Sequence, residues 1–409
     1  MTRRLKTGRL KKIMVSVMAG AMALGLSACG GKAEKSSDGK LNIVTTIFPE
    51  YDWAREIVGQ GENSVDKSVA DKAEITMLLD NGVDLHSFQP TAEDITKIST
   101  CDVFIYVGGE SDKWVDDALK EATNKDMIVI DLMDVLGDSV KEEELVEGMQ
   151  DEDESEESGP EGSEAVGPMT EDVHSPDGPV VEEDSEDGLT DSFDEAPEVE
   201  GAETEVDDHD GDAVVDKEDG EGHHHDDGEI EYDEHVWLSL RNAETIANEL
   251  AAKFGEADPD NASVYKANAD AYNKKLSELD AEYKEVVENG KTDTLLFGDR
   301  FPFRYMVEDY GLNYYAAFVG CSAETEASFE TIIFLAEKTD ELGLGAICTI
   351  ENSDQKIANT VKENTKSGDQ EILTLDSLQS VTSKDVDAGA TYLGKMSENL
   401  EVLKKALGE

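Results

Sequence analysis

The histidines of this 409-residue chain are its most informative residues, because neutral imidazole is the commonest nitrogen ligand for transition metals in proteins. Two of the seven, His86 and His235, lie in sequence that has the composition of a folded protein. The other five fall in a strongly acidic segment, at His174, His209, His223, His224 and His225. Two separated histidines in folded sequence indicate either a metal site or a pair of structural histidines.

The two histidines occupy different settings, and neither lies in a motif of a common enzyme class. His86 lies in Asp84–Pro90, which is typical of a turn between helical segments, and His235 lies where the chain leaves the acidic segment. We find no Gly-rich phosphate loop, no Gly-x-Ser-x-Gly elbow and no His-Glu-x-x-His helix. No histidine follows His235, so Cys321 is not indicated as the nucleophile of a cysteine hydrolase.

The first 28 residues are typical of a cleaved bacterial signal peptide. Six basic residues precede an apolar run from Ile13 to Leu26, which is shorter than the roughly 20 residues that span a bilayer. The run ends in Leu-Ser-Ala-Cys29, which resembles the lipobox whose cysteine is lipidated. The sequence therefore predicts a lipid anchor at Cys29, a tether over residues 29–39, and a location on the outer side of a bacterial cell membrane.

The charge of the chain excludes nucleic acid as a natural partner. The net charge is −61, and −67 without the cationic leader, whereas phosphate binding needs a positive surface. From Lys141 to Glu234 there are 41 acidic residues against two lysines, with almost no periodic apolar positions. We therefore predict a disordered acidic insert over residues 141–228. Of the cysteines beyond the lipobox, Cys321 and Cys348 could pair outside the cell, but an odd number of three does not indicate a disulfide framework.

Short apolar strands alternate with helical sequence on both sides of the insert, which indicates parallel sheets. These strands are Leu41–Thr46, Cys101–Val107 and Met127–Leu132 before it, and Thr294–Phe297, Leu312–Phe318, Ala346–Ile350 and Glu371–Leu375 after it. Helices are predicted at Asn242–Phe254 and, at the end of the chain, from Asp385 to Leu407.

The longest regular pattern predicts one helix from about residue 262 to 288, roughly 40 Å long. Its apolar positions recur at steps of three and four residues: Tyr265, Ala269, Tyr272, Leu276, Leu279, Tyr283 and Val286. We therefore predict an α/β protein with two βα lobes that contain parallel sheets. The first lobe comprises residues 40–140 and 229–258, the linking helix lies within 259–290, and the second lobe comprises 291–409. Ligands of such proteins usually bind in the cleft between the lobes.

Four motifs, in this order, resemble those of one family, the ZnuA/AdcA/TroA-type (cluster A-I) metal-binding lipoproteins of ABC transporters. Ile43–Tyr51 resembles the family's first strand and turn, and Asp84–Pro90 resembles its Asp-Pro-His-x-(Phe/Tyr)-x-Pro. Asp233–Leu238 resembles Asp-Pro-His-(Val/Ala)-Trp-Leu, and Leu375–Leu378 resembles a late Leu-Asp-Pro-Leu or Thr-Asp-Ser segment. The resemblance covers nearly the whole chain after the leader except the insert.

This resemblance implies a two-lobe fold bridged by a rigid helix, with His86, His235 and Asp376 as metal ligands in the cleft. A fourth ligand of the family, His or Glu, aligns with Arg300, whose guanidinium offers no lone pair. The neighbouring Asp299 could supply this ligand instead, or water could take its place. A further alternative is that Arg300 orients an acidic ligand through a bidentate contact.

The implied ligands, two imidazoles with one or two carboxylates, suit zinc (Zn²⁺) and tolerate manganese (Mn²⁺). Zinc members of the family commonly carry a loop rich in histidine and acid before the second histidine, which favours zinc over manganese here. The corresponding accessory metal-binding histidines would be His209, His223, His224 and His225, although the insert could equally be a solvated spacer. Glu326 is a weaker ligand candidate, because an acid at a helix N-terminus is common.

The resemblance therefore implies an extracellular, monomeric solute-binding lipoprotein that captures zinc and delivers it to an ABC metal permease, without catalysis. One alternative within the family is a manganese-binding homologue, and another is a metal-dependent surface adhesin. A zinc hydrolase would use the same ligands with an open position for water, but it would also need a general base and a substrate pocket. The sequence indicates neither.

Overall fold

The computed structural model describes residues 39–150, 231–322 and 326–409. The predicted anchor Cys29 and the accessory histidines His209 and His223 to His225 lie outside the described residues. Among the described helices, none is both long and apolar enough to cross a bilayer.

Four parallel strands form a sheet in the first lobe. They are β1 Leu41–Thr45, β2 Ala73–Met77, β3 Val103–Tyr106 and β4 Ile128–Asp131, in the order β2-β1-β3-β4. The intervening helices are α1 Phe48–Ile57, α2 Ala92–Thr100, α3 Val115–Lys120 and α4 Leu132–Leu136. The central strand β3 is apolar and almost wholly buried, as expected for a parallel strand with helices on both faces.

A second sheet of four parallel strands forms the other lobe. It contains β5 Thr294–Phe301, β6 Asn313–Val319, β7 Ala346–Ile350 and β8 Glu371–Leu375, in the order β6-β5-β7-β8. In sequence, the helices α5 Leu240–Ala257 and α6 Ala262–Asn289 lie between the two sheets. The helices of the second lobe are α7 Arg304–Tyr310, α8 Phe329–Leu342, α9 Lys356–Asn364, α10 Ser383–Asp387 and α11 Tyr392–Ala406. The predicted α/β class with two parallel sheets is confirmed.

The long helix α6 contacts both lobes through specific polar groups as well as its apolar face. Asn268 donates hydrogen bonds to the carbonyl oxygens of Ile57 and Asp66 in the first lobe, at 3.0 and 2.8 Å. Near the other end, the Tyr283 hydroxyl donates to the carbonyl oxygen of Met396 in α11, at 2.6 Å. All seven apolar positions of the predicted periodicity are buried. The prediction of a single helix from about residue 262 to 288 is therefore confirmed, and the helix comprises 28 residues.

The two ends of the acidic insert are joined by a short antiparallel stem. The amide of Asp233 donates to the carbonyl oxygen of Lys141, and the amide of Glu143 donates to that of Glu231, both at 2.9 Å. Beyond the stem, the amide of Gln150 donates to the carbonyl oxygen of Ala317 on the edge strand β6. Residues 141–150, at the start of the predicted insert, are therefore bonded to the returning chain at Glu231–Asp233 and to the second lobe.

Two expectations from the sequence were wrong in detail. The strand β2 was not predicted, because its polar residues Glu74 and Thr76 interrupt the apolar run at the edge of the sheet. The predicted terminal helix is two helices, since the chain turns at Gly389 with a φ of 103° and Thr391 then caps the N-terminus of α11. This break places the amide of Tyr392 where it can be bonded by the first lobe.

That contact is made by Asp52 of α1, whose Oδ2 accepts a hydrogen bond from the amide of Tyr392 at 2.8 Å. The carboxyl group is buried, and among the described residues its Oδ1 has no hydrogen-bond partner. Burial raises the pKa of Asp52 to about 7. Its folded pKa therefore exceeds its unfolded pKa, and the resulting stabilisation is present below about pH 4 and is lost as the pH rises through about 7.

We expect Asp52→Asn to stabilise the protein above pH 7, because the amide keeps an acceptor for Tyr392 without burying a charge. The gain in the free energy of unfolding should be a few kcal/mol at pH 8 and should vanish near pH 4, measured by denaturant unfolding across this range. Asp71→Asn, at an exposed position, is the control and should change stability little. An equal gain at both pH values would contradict the assignment of a buried charge.

Candidate metal centre

The first histidine lies on a turn that the local sequence caps. His86 belongs to a single 3₁₀ turn, Leu85–Ser87, and Asp84 Oδ1 accepts a hydrogen bond from the backbone amide of His86 at 3.0 Å. Leu85 is buried in the core, which anchors the turn on the side away from solvent. The imidazole is thereby directed toward the second histidine.

The second histidine is wholly buried and is fixed by its own acidic neighbour. Asp233 Oδ1 accepts from the backbone amide of His235 at 2.8 Å and lies 3.0 Å from its Nδ1. The carbonyl oxygen of Asp233 accepts from the Tyr305 hydroxyl, and Trp237 Nε1 donates to the carbonyl oxygen of Ser377. This second motif is therefore held by residues of the other lobe.

The two imidazoles converge with their Nε2 atoms 3.3 Å apart. Each ring is oriented through its other nitrogen, since His235 Nδ1 faces Asp233 and His86 Nδ1 lies 2.8 Å from Ser111 Oγ and 3.5 Å from Glu234 Oε2. Hydrogen bonds of this kind favour the proton on Nδ1 and leave the Nε2 lone pair for a metal. Two nitrogens bound to one tetrahedral zinc ion lie about 3.3 Å apart, which is the separation found here.

The electrostatic setting keeps the first imidazole neutral. Burial, His235 and Arg300 lower the pKa of His86 to about 3, against the opposing effect of Asp84. A neutral ring retains the lone pair that coordination requires. The two imidazoles of His86 and His235 are therefore suited to bind a metal cation.

A cysteine side chain lies close to the two histidines. Ligand atoms of His86, His235 and Cys321 all lie within 4.8 Å of one another, and this is the one such group of three among the described residues. Cys321 follows β6, and its backbone amide donates to Glu143 Oε1 at 3.1 Å. All three described cysteines are free, so no disulfide joins Cys321 to Cys348. The sequence analysis did not place this thiol beside the histidines, because no motif surrounds Cys321.

Asp376 lies after β8 and is not part of this group. Its Oδ2 accepts from Lys395 Nζ and its Oδ1 from the amide of Leu378, both at 2.8 Å. Its role as a ligand therefore stays a prediction, and coordination would have to displace the lysine.

Asp299, Arg300 and Glu326 also lie outside the group of three. Asp299 accepts from the amide of Arg300 at 2.9 Å and lines a cavity of 470 Å³, and Glu326 is exposed. The Arg300 guanidinium forms an ion pair with Asp84, the residue that caps the turn of His86. Although burial acts in the opposite direction, Arg300 and the backbone amide of His86 hold the pKa of Asp84 below its usual range. Arg300 thus links the second lobe to the first instead of offering a ligand.

Comparison with known proteins shows the family of the chain. A family model described as the periplasmic zinc-uptake complex component A, ZnuA, matches residues 43–406. The zinc-binding lipoprotein AdcA of Streptococcus pneumoniae is 28% identical over 400 residues, which are 97% of this chain and 61% of that protein. The high-affinity zinc uptake system protein ZnuA of Bacillus subtilis is 23% identical over 385 residues, 94% of this chain and 93% of that protein. The chain thus spans only 61% of the length of the first of these relatives.

Solved structures show the same fold. The Zn(II)-bound ZnuA-like domain of S. pneumoniae AdcA superposes with a TM-score of 0.57 at 23% identity, covering 91% of this chain and all of that domain. A laminin-binding adhesin of Streptococcus agalactiae gives a TM-score of 0.59 at 19% identity, covering 90% and 99%.

We expect the orientation of His235 to depend on Asp233. Asp233→Ala should lower metal affinity by about 10- to 100-fold, the usual effect of removing a group that orients a ligand, while Asp233→Asn should cost less because the amide oxygen still accepts. Affinity can be measured by competition with a chromophoric chelator. Asp138→Asn, which removes the same charge at an exposed position, should have no effect. Equal affinities for all three variants would exclude this role.

Proposed function

Because the chain belongs to the family of periplasmic zinc-uptake component A proteins, we propose that it captures zinc outside the cell and delivers it to an ABC importer. The observation that carries this proposal is the 3.3 Å separation of the two Nε2 atoms, which fits a tetrahedral zinc ion. The names of the similar AdcA and ZnuA proteins support the same metal.

The proposed ligands are His86 and His235, with Asp376 as the carboxylate that the family resemblance implies. Asp299 is the proposed fourth ligand, because it immediately precedes Arg300 at the position where the family has one. Both carboxylates belong to the second lobe. Asp376 follows β8 and Asp299 lies near the C-terminal end of β5, the end of the strands where ligands of such sheets bind. Zinc binding would therefore replace the Lys395 contact of Asp376. Imidazole nitrogens suit zinc better than manganese, which prefers oxygen ligands, so the paired histidines favour zinc over the manganese alternative.

The proposed partners follow from the same family. An ABC permease would receive the metal, and a lipid at Cys29 would hold the monomeric protein at the outer side of the membrane. The histidines of the acidic insert would add weak sites that collect the ion. Catalysis is not part of the proposal, because the family is one of solute-binding proteins.

The two histidines provide the first test. His86→Ala and His235→Ala should each lower zinc affinity by at least about a hundredfold, more than the loss of an orienting group causes, because no other imidazole lies nearby among the described residues. Chelator competition measures the effect. His209→Ala, in the acidic insert, is the matched control and should leave the tight site unchanged. Losses of tenfold or less for both site variants would overturn the assignment.

The carboxylates are tested by a pair of opposite changes. Asp376→Asn should weaken zinc binding strongly, and Lys395→Met should strengthen it, because the metal would no longer compete with the ammonium group for Asp376 Oδ2. Asp299→Asn tests the other carboxylate in the same assay. If Asp376→Asn and Lys395→Met leave affinity unchanged, Asp376 is not a ligand, and the same holds for Asp299 and its variant.

A further inference from the structure

We propose that Cys321 is itself a ligand of the transported metal, so that two imidazoles and one thiolate bind the ion. This inference rests on the proposed function and extends it to a ligand that the family resemblance does not supply. The fourth position of a tetrahedral site is then left for a carboxylate or water.

The distances permit this coordination. A sulfur and a nitrogen bound to one tetrahedral zinc ion lie about 3.6 Å apart, and the ligand atoms of His86, His235 and Cys321 all lie within 4.8 Å of one another. Asp299, Asp376 and Glu326 do not meet this criterion together with the histidines.

The backbone beside the thiol is shaped for this approach. A Cβ on Gly320 would lie 3.0 Å from His235 Cε1 and 2.9 Å from the carbonyl oxygen of Phe301, so only glycine allows the chain to pass so close to the ring. The next residue, Cys321, is then fixed by the hydrogen bond from its amide to Glu143. The loop after β6 therefore presents the cysteine at the buried histidine.

The surrounding charges favour a bound cation. The thiol of Cys321 lies among the carboxyl groups of Glu143, Asp233 and Glu234. A divalent ion supplies the positive charge that this acidic setting lacks. On binding, the thiol proton passes to solvent and a sulfur lone pair forms the bond to the metal.

A thiolate from Cys321 would also replace the metal ligand that is missing at Arg300, the residue that aligns with the family's fourth ligand. Arg300 is engaged with Asp84 and has no lone pair to offer, so the site needs a donor from elsewhere in the second lobe. A thiolate is softer than the imidazole or carboxylate it would replace. It favours zinc and copper(I) and discriminates against manganese and magnesium.

The test uses the reduced full chain loaded with cobalt(II), which reports thiolate ligation through a sulfur-to-metal charge-transfer band in the near ultraviolet. We expect this band in the unaltered protein and its loss in Cys321→Ser, together with a fall in zinc affinity of at least about tenfold, the smallest loss typical of an altered site. Cys348→Ser is the matched control, since this buried thiol on β7 lies outside the group, and it should keep both band and affinity.

X-ray absorption at the zinc edge of the unaltered protein gives an answer even if Cys321→Ser does not fold. A zinc–sulfur distance of about 2.3 Å would support the proposal. If the zinc is surrounded by nitrogen and oxygen alone, Cys321 is not a ligand. If the histidine variants abolish zinc binding in that case, the proposed zinc capture still holds. If the unaltered protein binds no zinc tightly, the proposed function itself fails.

Discussion

The site depends on two imidazole Nε2 atoms that are held 3.3 Å apart, a distance at which two unprotonated nitrogens bring their lone pairs close together. Such an arrangement is repulsive until a proton or a metal ion lies between the rings, so it has to be enforced by the surrounding structure. Asp233 enforces it on one side and Ser111 with Glu234 on the other, each through the ring nitrogen that faces away. The buried ring of Trp237 packs beside His235 and is itself fixed by its hydrogen bond to Ser377.

The second lobe contributes to the same point by a different kind of contact. Arg300 reaches Asp84, so an ion pair joins the end of β5 to the turn that carries His86. Both partners are partly buried, which makes the pair less screened by solvent than a surface ion pair. Arg300 therefore joins the two lobes at the position where the resemblance implies a metal ligand. In our proposal, Cys321 in the loop after β6 supplies the ligand that is missing there.

The sequence predicted those features that have a period or a motif. The apolar spacing from Tyr265 to Val286 predicted α6, and the resemblance of the two histidine motifs to those of one family implied that His86 and His235 converge. The strand β2 has too mixed a composition for its periodicity to be read. Cys321 carries no motif, since its nearness to His235 arises from the register of β6 and the bare backbone of Gly320, which only the folded chain reveals.

The antiparallel stem at Lys141 and Asp233 has a practical consequence for protein engineering. The stem holds the two ends together, and the entropic cost of closing a flexible loop between them grows by only about 0.6 kcal/mol for each doubling of its length. The stem is therefore a suitable insertion site, where a foreign domain whose termini lie close together can replace the acidic sequence. Glu143, one residue of that stem, accepts a hydrogen bond from the backbone amide of Cys321. A fluorescent domain inserted there would therefore be connected to the metal site through this contact and could serve as a genetically encoded metal sensor.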